Sequence, residues 1–247
     1  MELETQNKAI SLGNEKAPGI DLLKIIGSLV TPLFLRRLLV TVLGYFVLSL
    51  GVVLLVNSNL GIAPTNSISF ILSEILPADL GLMTAIIYSI FVLLQLVILG
   101  KNFKVSSFLQ VPMNMIFSLF LSVCTRTLAF PTPQIYVLRL LCHMSGVIVA
   151  SLGICIYLRG KLPPLPPEGL LLAIIQRFKG KIQTVKVFFD FTVLAIAIII
   201  SLIATGRVIG MREGTFIAML GIGKSMGFFS KHLGHRIDAL FKLPSAG

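Results

Sequence analysis

The chain has 247 residues, of which 55% are hydrophobic and 13% charged, with a net charge of +11 and a mean hydropathy of +0.96. A soluble domain of this length needs far more charge to cover its surface, so the composition argues against a water-soluble protein and predicts a bundle of membrane helices. Cys124, Cys142 and Cys155 fall within or at the ends of apolar runs, with no CxxC or Cys/His cluster, which argues against a disulfide framework and a zinc site.

Residues 1–35 form a polar N-terminal segment with Glu2, Glu4, Lys8, Glu15 and Lys16. It lacks a signal-peptide pattern and is expected to be partly disordered. Six apolar runs follow, at 38–56, 81–99, 107–125, 140–158, 187–205 and 214–230. Each is about the length that crosses a bilayer core. They define a membrane domain over 36–232, followed by a basic tail over 233–247.

The basic residues alternate along the chain. Lys24, Arg36 and Arg37 precede the first run, and Lys101 and Lys104 follow the second. Arg159, Lys161, Arg177, Lys179, Lys181 and Lys186 separate the fourth from the fifth, and Lys231, Arg236 and Lys242 follow the last. The loop after the first run has no Lys or Arg but carries Glu74 and Asp79. This is a positive-inside pattern with both termini cytoplasmic, so the charge fixes topology against anionic lipid and implies no nucleic-acid partner.

Residues 37–66 recur without a gap at 139–168, an offset of 102. Arg37, Leu38 and Leu39 fall on Arg139, Leu140 and Leu141. Gly44 falls on Gly146, and Ser49-Leu50-Gly51 on Ser151-Leu152-Gly153. Leu60 and Pro64 meet Leu162 and Pro166. Charge, glycine and proline are shared, so the match is more than common apolarity. Each copy holds three crossings, over 36–130 and 138–232, and an odd number makes the second copy enter from the opposite side. The expected fold is an all-α membrane protein of six transmembrane helices in two inverted three-helix repeats. Such repeats recur in secondary transporters, with the substrate near the midplane where the halves meet.

After the first span of each copy the apolar pattern breaks, at Asn57–Ser67 and at Arg159–Gly169. Proline suits the first turn of a helix, so Pro64 and Pro166 are expected to open short helices of ten to thirteen residues, re-entrant or interfacial. Asn66 and Glu168 occupy equivalent positions just after those prolines. They either line one central site from both halves or serve locally. In the local reading Glu168 supports its own first turn, and Asn59, Thr65 or Asn66 caps a helix. Pro163, Pro164, Pro166 and Pro167 read as a stiff turn more readily than as a polyproline ligand.

Ionisable residues inside spans are functional candidates by default. Lys224 lies in the last span among Gly221, Gly223 and Gly227 and is expected to face the bundle interior. Glu213 and Thr215 open that span. Asp190 sits one turn after Lys186, on the same helix face, as an expected ion pair near the cytoplasmic end. His143 reads as a satisfied interfacial histidine. Gln110, Pro112 and Asn114 interrupt the third span and predict a bend. Gly44, Gly51, Gly146, Ala150 and Gly153 allow close helix packing.

The first span leading into Asn59-Leu60-Gly61-Ile62-Ala63-Pro64, and the segment Arg212-Glu213-Gly214-Thr215 followed by Gly221, resemble the YczE/YyaS/YitT-type bacterial membrane proteins over roughly residues 36–232. Pro166-Pro167-Glu168-Gly169 looks like the second-half counterpart of the first motif. Family members often carry tryptophan and aspartate after the first proline. Here Thr65 and Asn66 stand in their place, and the chain has no tryptophan. The resemblance implies a six-helix bacterial inner-membrane protein, in a family presumed to include transporters.

The expected function is a secondary transporter or permease for a small polar solute, bound near Asn59, Pro64, Asn66, Glu168, Glu213, Thr215 and Lys224. The alternatives are a non-transporting accessory or regulatory membrane protein, or the substrate-binding membrane subunit of a larger transporter. No Walker, HExxH or GxSxG motif occurs, so neither ATP hydrolysis nor a familiar intramembrane enzyme is expected, and no cofactor or metal is implied. The bilayer is the expected partner.

Overall fold

In the computed structural model, residues 31–128, 130 and 132–242 are described. Most of the expected N-terminal segment, residues 1–30, and the last five residues of the tail lie outside them. The described residues form α1 (Pro32–Ser58), α2 (Pro64–Ile75), α3 (Leu80–Leu99), α4 (Gln110–Thr127), α5 (Tyr136–Arg159), α6 (Pro166–Phe178), α7 (Ile182–Thr205) and α8 (Glu213–Leu240). Two 3-10 turns, Gly100–Asn102 and Val105–Leu109, join α3 to α4.

Five of these helices are long and apolar enough to cross a membrane: α1, α3, α4, α5 and α7. The sixth expected span, α8, is 28 residues long but does not meet the same measure of apolarity. Their outer faces carry large bare apolar side chains, with Val97 78% and Ile203 82% exposed. Contiguous surfaces of this kind suit lipid and not water.

The helix ends follow from local chemistry. Thr31 accepts the Phe34 N–H and Pro32 opens α1. Asp79 accepts the Leu82 N–H at 2.7 Å and caps α3. Pro64 and Pro166 open α2 and α6, of 12 and 13 residues. The residue before α2 is Ala63, which supplies no side-chain cap, so neither Thr65 nor Asn66 caps that helix. Gln110, Pro112 and Asn114 lie in the first turns of α4. The polar break therefore marks a helix start and not a bend within a span.

The centre of the fold is the seam between α1 and α5, the most extensive helix pair. Gly44 meets Tyr157, and Gly51 meets Ala150. Gly146 meets Leu55, and Gly153 meets Leu48. The partners' numbers run in opposite directions, so the two helices are antiparallel. Each contact is also reproduced by the 102-residue offset: Gly44 and Leu55 correspond to Gly146 and Tyr157, and Leu48 and Gly51 to Ala150 and Gly153. A Cβ on Gly44, Gly51 or Gly153 would overlap backbone atoms of the facing helix, so glycine sets the approach of the two backbones.

The same offset governs contacts away from the seam. The Asn57 amide donates to the Leu128 carbonyl at 2.9 Å, and its counterpart Arg159 donates to the Ser230 carbonyl at 3.0 Å. Helix α4 packs on α1, and α8 on α5. The short helices cross over: α2 packs on α7 and α6 on α3. That exchange draws the N-terminal ends of α2 and α6 into one central region.

Candidate functional site

The ends of the two short helices border a cavity of about 360 Å³, lined from every long helix and from both repeat copies. Leu48 and Val52 of α1, Ile154 of α5, Phe117 of α4 and Leu171 of α6 give it apolar walls. Thr65, Asn66, Tyr88, Glu168, Gln183, Lys186 and Asp190 supply its polar groups. A few polar groups converging in an apolar cavity of this size are the usual form of a small-molecule site.

The two copies present different chemistry at matched positions. In the first, the Tyr88 hydroxyl donates to Asn66 Oδ1 at 2.7 Å, and Asn66 is buried. The counterparts of Asn66 and Tyr88 in the second are Glu168 and Asp190. Lys186 binds Asp190 Oδ2 at 3.0 Å, while Asp190 Oδ1 is buried without a partner. Glu168 Oε2 is likewise buried and unpartnered. The Tyr157 hydroxyl approaches Glu168 without closing a hydrogen bond, and its ring centroid lies 5.2 Å from that of Tyr45. Buried unpartnered oxygens in a cavity mark places where a ligand, an ion or water completes the bonding.

A polar clasp holds α6 in position. The Gln95 and Gln110 side-chain amides bond reciprocally, at 2.9 and 3.1 Å, and Gln95 also donates to the Pro166 carbonyl at 3.2 Å. Gly169 packs directly on this pair. On the other side, Gly61 adopts φ +121° beneath Thr215, and the Gly214 N–H donates to the Leu60 carbonyl at 2.9 Å. A side chain at position 61 would strain the backbone and strike α8.

The sequence-derived candidates divide cleanly. Pro64, Asn66 and Glu168 line the cavity together. Asn59 does not: it is exposed, ends α1 in a left-handed conformation, and its carbonyl accepts from Arg139. Thr215 is buried at the start of α8 against Gly61, outside the cavity lining. Glu213 is exposed, 3.4 Å from the Tyr136 hydroxyl. Lys224 is exposed on α8 and does not face the interior, contrary to expectation. His143 is satisfied, as expected, between Ser58 Oγ at 3.1 Å and the Gly214 carbonyl at 2.9 Å, and it is fully buried.

Sequence reasoning missed Tyr88 and Gln183 as cavity residues, and it left Lys186 and Asp190 as a peripheral ion pair. The pair forms, but Asp190 is buried against the cavity. A signal was available: Tyr88 and Asp190 sit at one repeat position, polar in both copies within otherwise apolar runs.

Comparison with known proteins adds a family and no activity. The chain is 27% identical over 184 residues to an uncharacterised protein of Haemophilus influenzae, covering 74% of this chain and 78% of the other. No solved structure matches it. A family model of unknown function, DUF6198, matches residues 35–231, most of the membrane bundle, and the chain belongs to that family.

Proposed function

We propose that this protein is a secondary transporter for a small solute, which binds in the cavity between two inverted repeats. The observation that carries this reading is the joint placement of Asn66 and Glu168: equivalent residues of the two copies, at the starts of crossed-over short helices, lining one cavity. Inverted repeats with interrupted helices that meet at a central site are the common plan of secondary transporters. The antiparallel seam of α1 and α5, with contacts exchanged by the repeat offset, supports the inversion.

In this reading α8 is the sixth crossing despite its lower apolarity, and α2 and α6 are re-entrant. Both termini face the cytoplasm of a bacterial cell, following the basic loops. The YczE/YyaS/YitT-type resemblance is a proposal of the same kind, consistent with the family of unknown function that matches. Within the irregular backbone at 59–63 and 160–165, Leu60, Gly61, Ile62, Gly160 and Leu165 are buried and Ala63 and Leu165 line the cavity, which suits non-helical backbone at membrane depth.

The test is uptake of a labelled solute panel into liposomes holding the purified protein. The expected result is saturable uptake of at least one solute above protein-free liposomes, lost in Glu168→Gln. Uptake no greater than in protein-free liposomes for amines, amino acids, organic acids and vitamins alike, with helicity intact by circular dichroism, overturns the reading. It would turn attention to an accessory role.

A further inference from the structure

Resting on the transporter reading, we propose that the cavity selects small organic monocations: a primary ammonium head, held by Glu168 and Asp190, on a compact apolar body. The charge inventory of the lining is the first ground. Two carboxylates, Glu168 and Asp190, face the cavity, and Lys186 is its one basic residue. Lys186 is already bonded to one oxygen of Asp190. With Glu168 ionised, one positive charge is lacking, and a monocation that binds and holds the carboxylate in its charged form supplies it, whereas an anion would meet uncompensated repulsion in a site of low dielectric.

The second ground is hydrogen-bond polarity. Of the residues that line the cavity, Glu168 and Asp190 each hold one buried unpartnered atom, Oε2 and Oδ1, both carboxylate oxygens, and Asp190 is only 3% exposed. Carboxylates accept and do not donate, so their missing partner brings N–H or O–H donors. A primary ammonium brings three, with charge, and charge-assisted bonds are the stronger kind. Apart from Thr65, Asn66 and Gln183, the remaining wall is apolar or aromatic, with the Tyr88 and Phe117 rings stacked at 6.1 Å. Aromatic faces attract a cation that has lost part of its hydration. Among the described residues no group of three or more His, Cys, Asp or Glu side chains is placed to hold a metal ion. A volume of about 360 Å³ lies at the small end of ligand sites and suits a single-ring amine.

The probes are phenethylamine, 2-phenylethanol and 3-phenylpropionate, which share a ring and short chain but differ in the charge of the head. Each is titrated against detergent-purified protein at pH 7, with affinity read from the concentration dependence of the melting temperature. Phenethylamine raises the melting temperature and the other two do not. Glu168→Gln weakens phenethylamine at least tenfold. Asn66→Asp adds a carboxylate at the matched position of the other copy and strengthens binding several-fold. This opposite sign does not depend on how well the Glu168 variant folds. No shift with phenethylamine, or an equal shift with the alcohol or the anion, overturns the proposal, as does unchanged amine affinity in both variants. The transporter reading fails separately: bound phenethylamine that is never carried into liposomes contradicts transport while the ligand class stands. Carriage of 3-phenylpropionate instead of the amine contradicts the ligand class while transport stands.

Discussion

The two repeat copies share a scaffold and differ where they meet the cavity. The first copy offers the neutral pair Asn66 and Tyr88, already bonded to each other; the second offers Glu168 and Asp190, each with a free buried oxygen. Packing differs as well. Helix α3 packs closely on α4, with Gly81 against Ser118 and Ser122 and the Asn114 amide donating to the Ala85 carbonyl. The corresponding α7 and α8 hardly meet. Gln183 and Lys186 of α7 and Gly223 and Met226 of α8 all line the cavity, so these two helices border it without packing closely on each other. Glycines recur at matched positions of the seam, while the matched positions around the cavity differ in charge. The lesson is that symmetry here belongs to the frame and asymmetry to the site.

The sharpest way to break this comparison is at the seam. Gly51→Leu and Gly153→Leu occupy matched positions and should destabilise by similar amounts, about 3 kcal/mol or more, because the space is taken by the facing backbone. Thermal unfolding in detergent checks this. A silent substitution at one of the two would show that the seam is not built alike on both sides.

Next come the seam's two ends. His143 joins Ser58 to the Gly214 carbonyl, tying α1, α5 and α8 together. Its counterpart Thr41 bonds only to the Arg37 carbonyl of its own helix. His143→Ala should cost about 2–3 kcal/mol by leaving buried polar groups unpaired, and Thr41→Val no more than about 1 kcal/mol. Equal costs would remove the distinction.

Within the cavity, Tyr88→Phe deletes one hydroxyl bonded to Asn66 and should cost about 1 kcal/mol, measured as the same unfolding shift. The smallest effect is expected at the start of α3. Burial pushes the Asp79 carboxyl up, but the Leu82 N–H, the Ser122 hydroxyl and Arg126 outweigh it and hold it below its ordinary value. The folded state thus binds this proton more weakly than the unfolded state. Its stabilisation is present above the ordinary carboxylate range and fades as pH falls through the lower folded value. Arg126 is largely exposed, so the effect is no more than about 1 kcal/mol. Asp79→Asn should flatten the acid limb of the melting profile, whereas Gln in place of the matched Lys181, which supplies no side-chain cap to α7, should leave that limb as it is in the parent protein.

Much of the frame could be read from the chain because glycine and proline act locally. Pro64 and Pro166 open the short helices expected of them, and the repeated glycines marked close helix contacts without naming the partner helix. The repeat also brought Asn66 and Glu168 together before any geometry was known. The errors share one cause. In a bilayer both the lipid face and the interior are apolar, so hydrophobic periodicity does not tell which side of a helix points inward. On α8 the buried stripe is Gly214, Thr215 and Ala218, followed far along by Gly234 and Asp238. Lys224 lies off that stripe. Its distance from either end of the span suggested an interior position, yet it is exposed, and its neighbours Gly223 and Gly227 would bring no Cβ near any other atom. The depth of Asp190 was hidden for a related reason: Lys186 four residues earlier gave it a complete local partner in sequence, although only one of its oxygens is used.

Uptake by four variants side by side separates the cavity from the outer face. Phenethylamine is followed into liposomes for Asn66→Ala, Glu168→Gln, Glu213→Gln and Lys224→Ala. A shared central site requires that the first two lose or strongly reduce uptake and that the last two carry the amine like the parent protein. Normal uptake in Glu168→Gln with loss in Lys224→Ala would contradict it and move the site to the exposed face of α8.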